Sequence, residues 1–390
     1  PGVTVALTAT ATPATRADIV ARLELNRPLV VVNGFDRPNL HFAVEPVRDT
    51  RERLRRISAL LGETAPAPCI VYAGTRASVD AIARYLRRTW PHVDAYHAGR
   101  SAEDRSAVQR RFLDGTLRVL VATNAFGMGV DKPNVRLVAH AAPPGSIEAY
   151  YQEAGRAFRD GDRGRCVLLA SGGDRALHDR VLASTYPPDV TIRRCWVDLN
   201  RHAGRDGCVT LPPAPLSGLT RDVEDPALAL LARLGLVELR ATLPADSNLR
   251  LLCTPATAAL AAREVSPSAA QLLRALATSA RPWQEQRVGD IANPVPQGAV
   301  DELLAKRLVF LVPPPRQVRL LSREREPPID WRSLHARIGG ERARIDAMHA
   351  YTTTTRCRRW YLLRYFGQHH SQQACGDCDN CARAGPGSHG

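Results

Sequence analysis

Residues 66–172 alternate short β-branched runs with stretches whose apolar positions recur at helical spacing. Cys69-Ile70-Val71-Tyr72-Ala73 predicts a strand, and a helix follows from Arg76 to about Arg88. A short strand over Val93–Tyr96 precedes a helix from Ala102 to Leu113. Arg118–Ala122 and Arg136–His140 predict two further strands, a helix covers roughly Ile147–Ala157, and Cys166–Ala170 closes the series. This alternation implies a parallel sheet with helices on both faces. In such a sheet the functional residues lie at the carboxyl ends of the strands.

From residue 174 onward the pattern changes. A helical stretch over about Asp189–His202 leads to a proline-rich connector, Leu211-Pro212-Pro213-Ala214-Pro215. Beyond it lies a weak internal repeat, in which Leu230-Leu231-Ala232-Arg233-Leu234-Gly235-Leu236-Val237 resembles Leu303-Leu304-Ala305-Lys306-Arg307-Leu308-Val309. Each copy predicts a short helix running into a strand, then a turn and a second strand. The first turn, Pro244–Asn248, leads to Leu249–Cys253; the second, Pro313-Pro314-Pro315, leads to Gln317–Leu321. Helices over Ser268–Ser279 and Val288–Asn293 precede the second copy. Three helices and a hairpin outline a winged helix, a module that binds duplexes. The competing reading is a scaffold that touches no nucleic acid, and neither turn is strongly basic.

Composition narrows the class. Hydrophobic residues make up 44% of the 390 and charged residues 24%, as in soluble globular proteins with room for about two to four domains. No apolar run approaches the length of a membrane-spanning helix. Pro1-Gly2-Val3-Thr4 opens without an initiator Met or the basic stretch and apolar core of a signal peptide, and the tail from Gly385 reads as a flexible end. The net charge of +14 and a pI near 9.9 point to a polyanionic partner, because each neutralised phosphate releases counterions. Genome composition competes with that reading, since 53 basic residues less Lys132 and Lys306 leave 51 arginines. Nine cysteines in so long a chain do not make a disulfide framework. Cys69, Cys166, Cys195, Cys208 and Cys253 are scattered and the other four cluster, which suggests a reducing cytoplasm and one metal site.

Candidate chemistry gathers at the expected strand ends. Gly74-Thr75-Arg76 follows the first strand and His97-Ala98-Gly99-Arg100 the second. Thr123-Asn124-Ala125-Phe126-Gly127-Met128-Gly129-Val130-Asp131 follows the third, and its glycines let backbone N–H groups approach phosphate oxygens. Arg156 and Arg159 lie three apart, on one helix face or end, and two guanidiniums aimed at one place suit the charge on a transferring γ-phosphoryl group. The bland alternative is a solvated basic face. Near the end, Cys357 is followed 18, 21 and 24 residues later by Cys375, Cys378 and Cys381. Tight C-x-x-C-x-x-C turns converge thiolates into a closed tetrahedral zinc site that stabilises folding, with an iron–sulfur cluster as the alternative.

The stretch from about residue 3 to 170 resembles the RecQ branch of superfamily 2 helicases. Ala6-Leu7-Thr8-Ala9-Thr10-Ala11-Thr12 matches motif III, which closes the first motor domain, and Gly34-Phe35-Asp36-Arg37-Pro38-Asn39-Leu40 matches the lead into the second. Ile70-Val71-Tyr72 with Thr75-Arg76 resembles motif IV, Ala95–Gly99 the segment after it, Val121–Val135 motif V, and Gln152–Gly161 motif VI. The cysteine block, with its Arg358-Arg359 and Tyr365-Phe366-Gly367 pieces, resembles the zinc subdomain of the same family. The resemblance implies that Arg159 is an arginine finger supported at the nucleotide site by Arg156 and Gln152, with Asp131 and Gly129 beside them. Thr75, Arg76, His97, Thr123 and Asn124 are then expected to face the DNA backbone. It further implies ATP and Mg²⁺, 3′-to-5′ DNA unwinding in repair and recombination, single-stranded, junction or duplex DNA as substrate, a single-strand-binding protein as partner, and a monomeric cytoplasmic motor.

Three departures stand out. Phe158 occupies a position where the family has Gly. No Gly-x-x-x-x-Gly-Lys-Ser/Thr loop and no Asp-Glu-x-His box occur, so the chain is expected to supply half of an ATP site and to be inactive by itself. The family's zinc subdomain follows the motor directly, whereas here about 170 residues intervene. The expected architecture is an α/β chain: the end of a first RecA-like domain and a linker (1–45), a second RecA-like parallel-sheet helicase domain (46–173), and a helical connector (174–217). Winged-helix-like α+β units (218–325) and a small helical zinc-binding subdomain (326–390) follow. The rival readings are a zinc-stabilised DNA-binding or regulatory fragment without motor activity, and an RNA helicase, which shares motifs IV to VI but does not predict the four cysteines.

Overall fold

The computed structural model describes residues 3–8, 10–127, 132–156, 161, 163–211, 220–240, 248–279, 286–287, 291, 297–312, 317–368 and 373–384. The chain divides into two compact units, one of residues 1–181 with 336–390 and one of residues 182–335.

The first unit is built on six parallel strands: β1 (Leu40–Pro46), β2 (Cys69–Tyr72), β3 (Val93–Tyr96), β4 (Val119–Ala122), β5 (Leu137–His140) and β6 (Gly164–Ala170), in the order β1-β6-β5-β2-β4-β3. β2, β4 and β5 are buried at every position, as continuous apolar strands covered on both faces must be. Their helices start where short polar side chains offer a cap. Asp49 accepts from Glu52 N–H at 2.7 Å to open α2 (Thr50–Thr64), and Ser101 accepts from Asp104 N–H at 3.0 Å to open α4 (Ala102–Asp114). Between them lies α3 (Arg76–Leu86). Gly115, at φ +88°, ends α4 in the left-handed conformation that glycine adopts without strain. An earlier helix, α1 (Pro13–Arg22), precedes the sheet, and α5 (Ile147–Ala154) and α6 (Asp174–Thr185) complete the series up to the unit boundary.

One face of the sheet packs on α2 and α3 through Ile57, Leu60, Val79 and Ile82. The opposite face packs on Phe112 of α4 and Tyr150 of α5, but also on Met348 and Tyr351, Leu362 and Phe366. Those four come from α12 (Trp331–Thr353) and from α13 (Arg358–Tyr365) with the residue that follows it. The cysteine block, separate from the parallel sheet in sequence, therefore belongs to its core. β1 was not among the expected strands. It pairs with β6 along its whole length, from Leu40↔Gly164 to Pro46↔Ala170, so the sheet begins six residues before the expected boundary at 46.

The second unit holds α7 (Asp189–His202), β7 (Cys208–Thr210), α8 (Arg221–Arg233), β8 (Val237–Arg240), β9 (Asn248–Leu251), α9 (Pro255–Ala261), α10 (Pro267–Thr278), β10 (Gln286–Arg287), α11 (Gln297–Ala305), β11 (Val309–Val312) and β12 (Gln317–Leu320). Both repeat copies form the expected helix and strand, as α8–β8 and α11–β11. The expected local hairpins do not form. β8 pairs antiparallel with β12, from Val237↔Leu320 to Arg240↔Gln317, and β9 pairs with β11 through Leu249↔Leu311. The first strand joins the last and the inner two join each other, which nests one three-stranded module inside the other. Pro313-Pro314-Pro315 offers no N–H and only restricted φ, which disfavours a tight hairpin turn between β11 and β12. The expected helix at 288–293 falls almost wholly outside the described residues.

Within the first unit, α6 meets α12 through two imidazoles, His178 Nδ1 and His349 Nε2, 3.0 Å apart. Burial holds both below the ordinary imidazole range, His349 also through His178 and Arg175, while Asp174 and Asp179 pull the other way. Their folded pKa is depressed, so the stability they contribute is present above the unfolded value of about 6.5 and is lost as pH falls below it. Thermal unfolding of the wild type between about pH 7 and 5 should show that loss, and His349→Gln should flatten it. Equal pH profiles for the two proteins would refute this account.

Candidate functional site

The three neighbouring strands β2, β4 and β3 end on one edge of the sheet, and the candidate nucleic-acid residues follow them there. Thr75 caps α3, its hydroxyl accepting from Ser78 N–H at 3.1 Å, and it stays exposed together with Arg76 and Asn124. His97 differs, its side chain being only 8% exposed. Its Nδ1 accepts from Gly99 N–H at 3.2 Å, which assigns the proton to Nε2 and lets that nitrogen donate to Asp80, also at 3.2 Å. His97 therefore shapes its loop. Thr123 is likewise buried and holds its own turn, its hydroxyl accepting from Ala125 N–H at 3.3 Å.

Sequence reasoning missed the carboxylates behind this edge. Asp94 on β3 receives Arg87 at 2.6 Å, Arg111 at 2.9 Å and Arg100 at 3.2 Å, and Arg100 also reaches toward Asp80 at 3.9 Å. Burial alone would raise the Asp94 carboxyl, yet the Ala95 N–H and the three arginines outweigh it and hold the group below its ordinary range. An acidic residue inside a short strand flanked by arginines was the available signal.

The second feature is a cleft of about 650 Å³ bounded by Thr8 and Thr10, the linker at Gly34–Phe35, and Gln152 and Arg156 from α5 and its C-terminal turn. Arg156 donates through Nη1 to the carbonyl of Gly127. A Cβ on Gly127 would meet the Arg156 guanidinium in its present position, so a larger residue there would displace that side chain. Arg156 Nε is buried and has no hydrogen-bond partner among the described residues. On α5, Glu153 accepts from His140 Nε2 at 2.9 Å, and the imidazole stacks on Tyr72 at 5.4 Å. Of the expected nucleotide group, Gln152 and Arg156 thus share one wall. Arg159, Asp131, Gly129 and Phe158 lie outside the described residues.

The four expected metal ligands do converge. The sulfurs of Cys357, Cys375, Cys378 and Cys381 all lie within 4.8 Å of one another, with Cys357 and Cys378 4.0 Å apart. Tetrahedral sulfurs about 2.3 Å from a zinc ion would sit just under ~4 Å apart, so a small inward movement closes the site. Backbone N–H groups of Trp360, Cys378 and Arg358 point at Cys357, Cys375 and Cys378 at 3.3–3.4 Å, as suits thiolate acceptors. Cys357 caps α13, and Cys381 lies on α14 (Asp379–Ala384), so two helix starts set the geometry.

Residues interleaved with the ligands tie this centre to the sheet. Arg358 and Asp379 form a bidentate pair at 2.9 and 3.2 Å, with side chains only 4% and 9% exposed. Arg358 also donates to the Tyr351 carbonyl. Asp379 Oδ2 accepts from Val44 N–H at 3.1 Å, satisfying a donor on the edge strand β1 that no further strand takes. A buried charge next to a metal ligand was legible only as the first of two arginines on a helix.

Residues 52–161 match the family described as "Helicase conserved C-terminal domain", and residues 317–382 match "RecQ zinc-binding". The chain is 39% identical over 200 residues to "ATP-dependent DNA helicase RecQ" of Bacillus subtilis (strain 168), covering 51% of this chain and 31% of that protein. It is 43% identical over 188 residues to the protein of the same name from Pasteurella multocida (strain Pm70), covering 48% and 29%. Against "ATP-dependent helicase wrn-1" of Caenorhabditis elegans the identity is 41% over 168 residues, covering 42% and 16%. The chain thus spans less than a third of the length of these relatives.

Two outcomes follow from the geometry. Arg358→Ala should lower the unfolding free energy by about 3–5 kcal/mol, because it strands the Asp379 carboxylate, while pairing Arg358→Met with Asp379→Leu should cost much less. Denaturant titration of the three proteins decides this, and equal losses in both variants would contradict it. Cys378→Ser should remove bound zinc as read by elemental analysis; full retention of metal would show that the four sulfurs are not its ligands.

Proposed function

We propose, for a chain that belongs to the RecQ family of superfamily 2 helicases as a C-terminal region, that it forms the second motor lobe and zinc-bound brace of an ATP-driven DNA helicase. One observation carries the reading: the four-cysteine block supplies part of the core of a parallel-sheet lobe whose carboxyl edge bears the candidate chemistry. A free-standing zinc module would not share that core.

ATP with Mg²⁺ would bind at the cleft and supply the phosphoryl transfer that drives movement. This chain's own part is to orient it. Gln152 and Arg156 present donors from one wall, Arg156 held in place by the Gly127 carbonyl, and Arg159 serves as the finger that meets the developing charge. Asp131 and Gly129 complete the nucleotide contacts. Zinc would be held by the four thiolates in a closed, structural role. On the other strand ends, Arg76 and Asn124 are exposed to meet the phosphate backbone, while Thr75, His97 and Thr123 hold the α3 start and two loops rigid beneath it. An excess of arginine over acid favours that polyanion. The finer expectations travel with this reading: 3′-to-5′ movement on single-stranded or junction DNA in repair and recombination, alongside a single-strand-binding protein, by a monomer in the cytoplasm. The modules of the second unit are proposed as winged-helix-like duplex contacts.

DNA-stimulated ATP hydrolysis by the whole protein, wild type against Arg159→Ala, tests it. The variant should fall by about 10³-fold or more. Arg76→Ala should weaken single-stranded DNA binding and reduce its salt slope by about one. DNA binding without any stimulated turnover by the wild type would favour a zinc-stabilised DNA-binding protein instead.

A further inference from the structure

The linker at residues 33–37 forms one wall of the cleft, and it is gripped from the cysteine block at three points. Phe35 N–H donates to Gln368 Oε1 at 2.7 Å, although the two residues are 333 positions apart. The Phe35 ring stacks on Phe366 with centroids 4.9 Å apart and planes at 21°. Arg359 clasps both oxygens of Asp36 through Nε and Nη2, in a pair whose side chains are 19% and 26% exposed. The same segment is held from the cleft side, because the Tyr151 hydroxyl donates to the Phe35 carbonyl and Tyr151 also packs on Phe366.

Further contacts make this grip directional. Gly367, at φ +78°, brings its backbone so close to α1 that a Cβ would lie 2.5 Å from Pro13 Cγ. The residues just after α13 therefore touch both the linker and the helix that precedes it. Arg359 and Gln368 have no other anchoring role among the described residues: neither binds the metal, and neither reaches a core strand. Arg359 sits two residues from the ligand Cys357, so closing the four sulfurs around a metal fixes the start of α13 and with it the Arg359 fork.

We propose that Arg359 and Gln368 are positioning residues that hold the linker wall of the cleft, coupling the folded state of the cysteine block to the shape of the cleft. The proposal rests on the nucleotide reading above only for what the cleft binds. Neither side chain lines the cleft; Gln368 acts through the Phe35 backbone N–H and Arg359 through the Asp36 carboxylate. A bidentate fork cannot be replaced by a point charge, so Arg359→Lys should behave like Arg359→Ala, whereas exchanging the two charges, Arg359→Asp with Asp36→Arg, should restore part of the contact.

Amide hydrogen exchange on the full 390-residue chain, and binding of a fluorescent ADP analogue by the whole protein that carries the other half of the ATP site, test this. Arg359→Ala and, as a milder change, Gln368→Ala should keep wild-type zinc content and circular dichroism. The Phe35 amide should exchange about tenfold faster or more in both. The analogue should bind about fivefold more weakly or worse, with partial recovery in the charge-exchanged pair. Faster Phe35 exchange in the variants, beside a whole protein that binds no nucleotide even as wild type, would uphold the clamp and sink the nucleotide reading. Phe35 exchange unchanged in both variants would overturn the clamp whatever the nucleotide does, and loss of zinc in Gln368→Ala would overturn it as well, by making the residue part of the metal fold.

Discussion

A single buried ion pair carries much of this architecture. Arg358 and Asp379 sit between consecutive metal ligands, satisfy each other, and make further hydrogen bonds with the Tyr351 carbonyl, Asn380 and the Val44 N–H. Two charges so deep are costly unless every lone pair and proton is used. Here that requirement forces α13 and α14 against β1, because the final donor lies on the edge strand. The four thiolates hold the two ends of the pair at a fixed separation, and the pair in turn holds the metal block on the sheet. Tyr351, Leu362 and Phe366 can then fill the sheet's second face.

That constraint accommodates a chain in which another unit intervenes in sequence. Residues 182–335 separate β6 from the cysteine block along the chain, yet Met348, Tyr351, Leu362 and Phe366 still join the core of the sheet. An insertion between two elements is tolerated when the elements keep their own contacts, since lengthening a connection adds only a slowly growing entropy. Within the second unit the same logic recurs at smaller scale, where β9 to β11 interrupt the β8–β12 pair. Along the opposite edge of the sheet, charge performs the comparable task. Asp80 and Asp94 gather His97 and three arginines into a rigid base, so the exposed Arg76 and Asn124 stand on loops that are already held.

The legible part of this structure was the part governed by local pattern. Ile70–Tyr72, Val119–Ala122 and Leu137–Ala139 are apolar β-branched-rich runs bounded by turn residues, as strands covered on both faces read. The four cysteines were legible because thiolate spacing is itself chemistry. β1 was hidden because His41 and Glu45 break its apolar run, and its place is decided by pairing with β6 more than 120 residues later. Strand partners in the second unit were hidden for the same reason, since β8 and β12 find each other across an entire inserted module. At the site, Arg156 was visible by motif, but the need for Gly127 beneath it appears only when the guanidinium's position is known. His97 illustrates the reverse: a polar residue at a strand end suggested a ligand contact, while both its nitrogens are occupied within the protein.

The metal block is part of the core of the parallel-sheet unit and not an appended domain. Differential scanning calorimetry of the chain with and without a zinc chelator tests it most directly. Stripping the metal should lower the unfolding transition of the parallel-sheet unit by many degrees while leaving that of the second unit in place, because metal binding there is folding free energy. A parallel-sheet transition that stays unchanged after complete removal of the metal would contradict the claim.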